Sequence, residues 1–148
     1  MEIASAPARL RALPSWLLNQ AALPAQRLVA DGLGAVGAHR SHYAVLAALD
    51  EFGPDSQAAL GRRCGIDRSD MVALVNDLAG EGLVDRQPDA ADRRRNVITI
   101  TAAGRRRLGT LDTAVAGVQD ALLAPLTTAE RDELAALLRR VVEHHGSA

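Results

Sequence analysis

The stretch Leu83–Thr101, LVDRQPDAADRRRNVITIT, decides how the whole chain is read. Before it, apolar residues recur at helical spacing; inside it the period drops to that of a strand. Leu83-Val84-Asp85-Arg86 reads as a short strand, Pro88 to Arg95 as a turn-rich tip, and Val97-Ile98-Thr99-Ile100 as a β-branched return strand. The expected hairpin carries Arg93, Arg94 and Arg95 side by side at its tip.

Upstream, Asp67 or Ser69 opens a helix in which Met71, Leu74, Val75 and Leu78 fall at i, i+3, i+4 and i+7, ended by Gly80 and Gly82. A shorter helix, QAALGRRCG, is capped by Asp55 or Ser56 and stops at Gly65; Cys64-Gly65-Ile66-Asp67 makes the tight corner between the two. Ser41 is expected to cap SHYAVLAALDEF, with Tyr43, Leu46, Ala47 and Leu49 inward and Gly53-Pro54 closing it. Ser15 to about Val36 reads as a first helix, kinked or interrupted at Pro24, and the ten or so residues before it show little pattern.

Downstream, Thr101 caps a long helix to about Leu123, stopped by Pro125, whose Leu108, Leu111, Val115, Val118 and Leu122 form a coiled-coil-like seam. Thr127-x-x-Glu130 is a capping box for a last helix carrying Leu134, Leu137, Leu138 and Val141 and ending near Gly146.

Helix, tight turn, helix, then hairpin is the order of a winged helix-turn-helix, so the fold class expected is mainly α (α+β). The apolar seams of the terminal helices exceed what a three-helix core can absorb, and they are expected to pack on a second copy of the chain. The organisation expected is one domain over 1–148, a winged lobe over 41–101, and dimerisation helices over 10–38 and 102–146.

Charge is balanced overall, with 17 basic and 18 acidic residues, which argues against a protein coated in positive charge. All the basic residues are Arg, a choice that suits phosphates and guanine edges but that genome base composition would also explain. Between Arg86 and Arg107, seven arginines face only Asp89 and Asp92, a local net charge of +5. That patch has the form of a nucleic-acid footprint. Trp16, Tyr43 and Phe52 are the only aromatics, too few for stacking on single strands. A lone Cys64, no long apolar run and no signal-peptide pattern in MEIASAPARL imply a cytoplasmic protein. With no P-loop, dinucleotide glycine pattern, nucleophile elbow or metal-ligand constellation, neither catalysis nor a cofactor or metal is expected.

These residues resemble the multiple-antibiotic-resistance regulator (MarR) family of bacterial transcription factors. Asp92, Arg94, Ile100, Thr101 and Gly104 match its wing pattern, with Ile in place of Leu, and SQAALGRRCGIDRSDMVALVNDLAGEGLVDR matches its helix-turn-helix and first wing strand. The resemblance is strong from about Tyr43 to Gly104. It implies a homodimer on a pseudo-palindromic duplex, commonly released by a small-molecule effector.

By family position, Arg94 is the residue inserted into a minor groove, where narrowing concentrates negative potential, with Arg93 and Arg95 near phosphates. Asp92 would brace an arginine through a bidentate pair, either Arg94 or Arg86. On the recognition helix, Arg68 is the best candidate for a guanine edge, and Ser69, Asp70, Val72, Ala73, Asn76 and Asp77 lie on its open face. Asp70 either accepts from a cytosine amino group or serves the helix N-terminus; Ala73 or Val72 would touch thymine methyls. Ser56, Gln57 and Asn76 would hold phosphates and so set register. Trp16, Asn19, Gln20, His39 and His42 are candidate effector contacts, against a reading in which Trp16 packs in a dimer core and the histidines cap. The competing function is an interaction module without DNA binding, supported only by Asp70, Asp77 and the weakly polar recognition helix.

Overall fold

The computed structural model describes residues 2–146, and its elements follow directly from local chemistry. A 3-10 turn (Ile3–Ser5) and a one-turn helix α1 (Ala8–Arg11) give form to the stretch expected to be patternless. Helix α2 (Pro14–Gly34) starts with Pro at its first position, where the missing N–H costs nothing. It continues past Pro24 without an interruption, one of the two effects, kink or interruption, expected there.

Helix α3 (Arg40–Phe52) does not begin at Ser41. Its N-cap is His39, whose backbone N–H donates to Nδ1 of His42 at 3.2 Å. Its inward residues are Val45, Leu46, Ala48 and Leu49, whereas Tyr43 and Ala47, expected inside, are half-buried. The Tyr43 hydroxyl instead donates to Asp112 at 2.7 Å on a distant helix.

Strand β1 (Asp55–Ser56) leads into helix α4 (Gln57–Cys64), where Ser56 Oγ caps by accepting from the Ala59 N–H at 3.1 Å. Gly65, at φ 67°, turns the corner. Helix α5 (Arg68–Gly80) buries Met71, Leu74, Val75 and Leu78, as the spacing predicts. Each such side chain contributes about 1.5–3 kcal/mol by leaving water.

Strands β2 (Val84–Pro88) and β3 (Asn96–Ile100) pair antiparallel from Val84↔Ile100 to Pro88↔Asn96. β1 adds to the other edge of β3, giving the order β1-β3-β2. Ile98 and Ile100 alternate inward on β3 and close the core under α3 and α5.

Helix α6 (Ala102–Leu122) lies along α2, burying Leu108, Leu111 and Val118. Helix α7 (Thr128–Gly146) is opened by the reciprocal bonds Thr127 N–H to Glu130 Oε1 (2.9 Å) and Glu130 N–H to Thr127 Oγ1 (3.2 Å). α7 buries none of its own residues: Leu137 and Val141 are each 49% exposed and Val142 68%.

Where the wing returns to α6, Thr101 ties three elements together. Its hydroxyl donates to the Gly82 carbonyl at 2.7 Å and accepts from the Gly104 N–H at 3.0 Å, while its own N–H donates to the Leu83 carbonyl at 3.1 Å. The α6 backbone passes so close that a Cβ on Gly104 would stand 2.1 Å from the Leu83 oxygen. Gly to Ala inside a helix ordinarily stabilises by up to ~1 kcal/mol. Here the clash reverses the sign, and Gly104→Ala should lower unfolding free energy in urea by about 1–3 kcal/mol. An unchanged or higher midpoint would show that the backbone can retreat from this contact.

Candidate nucleic-acid interface

The wing tip is an ordered loop. Asp89 accepts from the Ala91 N–H at 2.9 Å through Oδ1, and its own N–H donates to the Arg95 carbonyl at 2.8 Å. Asp92 holds Arg94 twice over: Oδ1 accepts from the Arg94 backbone N–H (3.0 Å) and Nε (3.1 Å), and Oδ2 from Nη2 (3.3 Å). Those bonds, side chain first, lower the Asp92 pKa. The brace leaves the Arg94 side chain 91% exposed, pre-oriented rather than buried. Arg86 takes no part in it. Its Nη2 donates to Asn76 Oδ1 at 2.7 Å, tying β2 to α5.

Arg94 and Arg95 face α4 and α5 across an open groove of about 570 Å³, which Gln57, Arg62, Arg68 and Asn96 also line. Four guanidiniums from three elements thus converge on one concavity. Arg93 points elsewhere, into a notch with Pro88, Asp89 and Ala90. Arg62 was not singled out from the sequence. Its signal was available, since the exposed position two residues after buried Leu60 on an eight-residue helix must face outward at the corner.

Ser56 has a second role. It is 8% exposed and its Oγ accepts the α4 cap bond, yet it lines the same groove as Gln57, Arg62 and Arg68 and keeps its own O–H to donate. Ser69 is also engaged, donating to Asp67 Oδ1 at 2.9 Å. The cap of α5 is Asp67, which accepts from the Asp70 N–H at 2.8 Å. Asp70 is therefore not the N-cap. Its carboxyl lies beside that of Asp67, whose charge raises its pKa. Asp67, Asp70, Ala73 and Asp77 line a second groove, of about 790 Å³, against His39 and Arg40. Helix α5 consequently has a basic flank toward the wing and an acidic flank toward α3. Val72 and Ala73 are both exposed, Ala73 on the acidic flank.

The five expected effector contacts do not come together in one chain. Trp16 stands near the start of α2 and His39 beyond its end, with about 27 Å of helix axis between Trp16 and Gly34 at roughly 1.5 Å per residue. His39 and Arg40 instead close an apolar groove of about 580 Å³ with Ala25, Gln26, Val29 and Ala30. His42 lies behind, among Ala38, Leu78, Glu81 and Arg107. Cys64 is half-buried, with Sγ 3.7 Å from the Ala44 carbonyl, and burial raises its pKa, which keeps it a thiol. Among the described residues, no group of three or more His, Cys, Asp or Glu could hold a metal ion, and no helix is long and apolar enough to cross a membrane.

A family model described as the MarR family matches residues 37–95. The repressor NicR of Pseudomonas putida is 27% identical over 106 residues, 72% of this chain and 67% of that protein. A putative regulator for the hcr operon of Thauera aromatica is 37% identical over 86 residues, so the matched stretch spans 58% of this chain and only about half (52%) of that relative. Among solved structures, the PcaV regulator of Streptomyces coelicolor with its natural ligand is 30% identical with a TM-score of 0.73, covering 93% of this chain and 97% of its own. The repressor CouR bound to a 23-mer DNA duplex is 27% identical with a TM-score of 0.80, covering 91% and 96%.

His42 yields a prediction independent of DNA. Burial, then the neighbouring His39, lowers its pKa below 6.5, although Glu81 and Asp77 pull the other way and Arg107 adds to the lowering. The folded state therefore holds the neutral imidazole, whose Nδ1 accepts the cap bond, and the unfolded chain binds the extra proton. Stability should be full above about pH 7 and fall as pH drops through 6.5 toward the lower folded value. His42→Gln keeps an acceptor at the same helix position but does not titrate. Its unfolding midpoint should change less between pH 7 and 5 than the wild type's; equal slopes would place the titration elsewhere.

Proposed function

The chain belongs to the MarR family of transcriptional regulators, and from that premise we propose that it is a sequence-specific, duplex-DNA-binding repressor acting as a homodimer. The observation that carries this reading is the groove in which Arg62, Arg68, Arg94 and Arg95 converge from two helices and the wing. Helix α5 enters the major groove while the braced Arg94 enters the adjacent minor groove. Arg93, on the other side of the wing, meets the backbone. The protein works in the cytoplasm and carries out no catalytic step of its own.

Dimerisation supplies the partner for surfaces that one chain leaves open. Leu10, Leu13, Leu17 and Leu18 near the start of α2 are 38–46% exposed, and α7 offers Leu137, Val141 and Val142. Packed against a second copy, these faces set two α5 helices one helical turn of DNA apart, about 34–36 Å, on a pseudo-palindromic operator. Trp16, Asn19 and Gln20 then belong to this interface region, not to the groove at His39. That groove, apolar with one histidine and one arginine at its rim, takes a small effector, as PcaV takes its natural ligand.

Fluorescence-anisotropy titration tests this on the duplex upstream of the protein's own gene, against a scrambled duplex, across a salt series. A preference of about 10³-fold or more with a steep salt slope is expected. Arg94→Ala should weaken binding to the true operator by roughly 1–3 kcal/mol. Equal affinity for both duplexes would mean binding by charge alone, and no binding at low salt would favour a protein-interaction module. Separately, Leu137→Glu with Val141→Glu should turn a dimer into a monomer in sedimentation; an unshifted peak would remove α7 from the interface.

A further inference from the structure

Strand β2 alternates faces, so Val84, which is buried, and Arg86 project toward the same side, the side that α5 packs on. From there Arg86 reaches Asn76, two turns after Ser69 on the helix face opposite Met71, Leu74, Val75 and Leu78. A guanidinium has donors only. The amide of Asn76 must therefore turn its oxygen to Arg86, and the 2.7 Å bond fixes the flip. What remains outward is the Nδ2 amino group.

This gives Asn76, expected from the sequence at a phosphate, a fixed donor to offer a base edge instead. A free asparagine suits adenine, accepting from N6 while donating to N7. With Arg86 on Oδ1, the approach of an adenine amino group meets a cation beside the only acceptor. Guanine offers acceptors alone, N7 and O6, to the same edge. We propose that Arg86 is a specificity-setting positioning residue: its cation on one lone pair of the amide oxygen turns the free amino group of Asn76 to the base and disfavours a second donor there, so that the recognition helix selects guanine over adenine at the base pair Asn76 meets. The proposal rests on the DNA-binding reading above and adds the base it prefers.

The test is selection from a duplex library with a randomised core, sequenced after binding to wild type, Asn76→Ala, Asn76→Asp and Arg86→Ala. Wild type should enrich a guanine in each half-site, and Asn76→Ala should lose that preference, about tenfold over adenine, while the rest of the motif persists. Arg86→Ala, which frees the amide oxygen, should let adenine compete at the same position. Asn76→Asp keeps an acceptor for Arg86 but has no donor, so thermal stability should hold while the guanine preference disappears; a purely structural tie would leave the preference intact. A wild-type duplex with 7-deazaguanine there should bind several-fold more weakly, and the Asn76→Ala protein should not notice. Identical motifs from all four proteins, or a uniform loss of affinity in Arg86→Ala, would overturn the proposal while leaving a DNA-binding protein. Failure of the wild type to enrich any sequence would overturn both.

Discussion

Thr101 is the joint on which the recognition helix, the wing and the long helix α6 all depend. One hydroxyl both caps α6, through the Gly104 N–H, and holds the Gly82 carbonyl just past the end of α5. Its backbone N–H closes the wing base on Leu83. Removing such a cap costs typically 0.5–2 kcal/mol, and here the loss would loosen three elements at once. Gly104 belongs to the same constraint, because only a residue without Cβ lets α6 start against the Leu83 carbonyl. Helix α6 is thereby set at a fixed angle to the DNA-facing lobe, and α2, packed along α6, inherits that angle.

From this joint the charge distribution makes sense. The recognition helix is not a uniformly basic rod: its wing-side flank meets Arg62, Arg68, Arg94 and Arg95, and its other flank carries Asp67, Asp70 and Asp77. A polyanion is drawn to one flank and repelled from the other, so the acidic residues orient approach even where they contact nothing. Asp92 does related work at the wing, where its bonds restrict the guanidinium of Arg94 to one direction. Pre-orientation reduces the rotamer entropy lost on binding, which matters most for a long, exposed side chain.

Local chemistry was legible in the sequence wherever it acts within a few residues. The buried face of α5, the Thr127/Glu130 box, the Thr101 cap and the hairpin all rest on spacings of two to four positions. Long-range contacts were not legible. Strand β1 exists because Asp55 and Ser56 meet Ile98 and Val97 across the fold. Tyr43 packs at the edge of the core, where its hydroxyl reaches Asp112. His39 displaced Ser41 as the cap because His42 supplies an acceptor that histidine is not usually counted on to give. The effector residues were dispersed for a plainer reason: α2 continues through Pro24, and an unbroken helix carries Trp16 away from His39. At the site, the arginine cluster could be read from composition, but the Arg86–Asn76 bond needed the strand's facing, which sequence alone leaves ambiguous by one residue of register.

The corner between α2 and α3 joins these parts into a mechanism. Arg107 of α6 donates to the Val36 carbonyl there, Arg105 pairs with Asp50 at 3.5 Å, and Tyr43 reaches Asp112, so α6 holds α3 at two points and the corner before it at a third. The exposed Arg105–Asp50 pair contributes little; the Arg107 bond, made to a backbone carbonyl, is the firmer anchor. The apolar groove at Gln26, Val29 and His39 is shared between α2 and the start of α3, and His39 also begins the helix that packs on α5. A molecule seated there would press on the corner where α2 passes into α3. It could shift the spacing of two α5 helices only by its preference for one corner geometry over the other. A ligand bound equally to both geometries would leave repression unchanged, however tightly it bound.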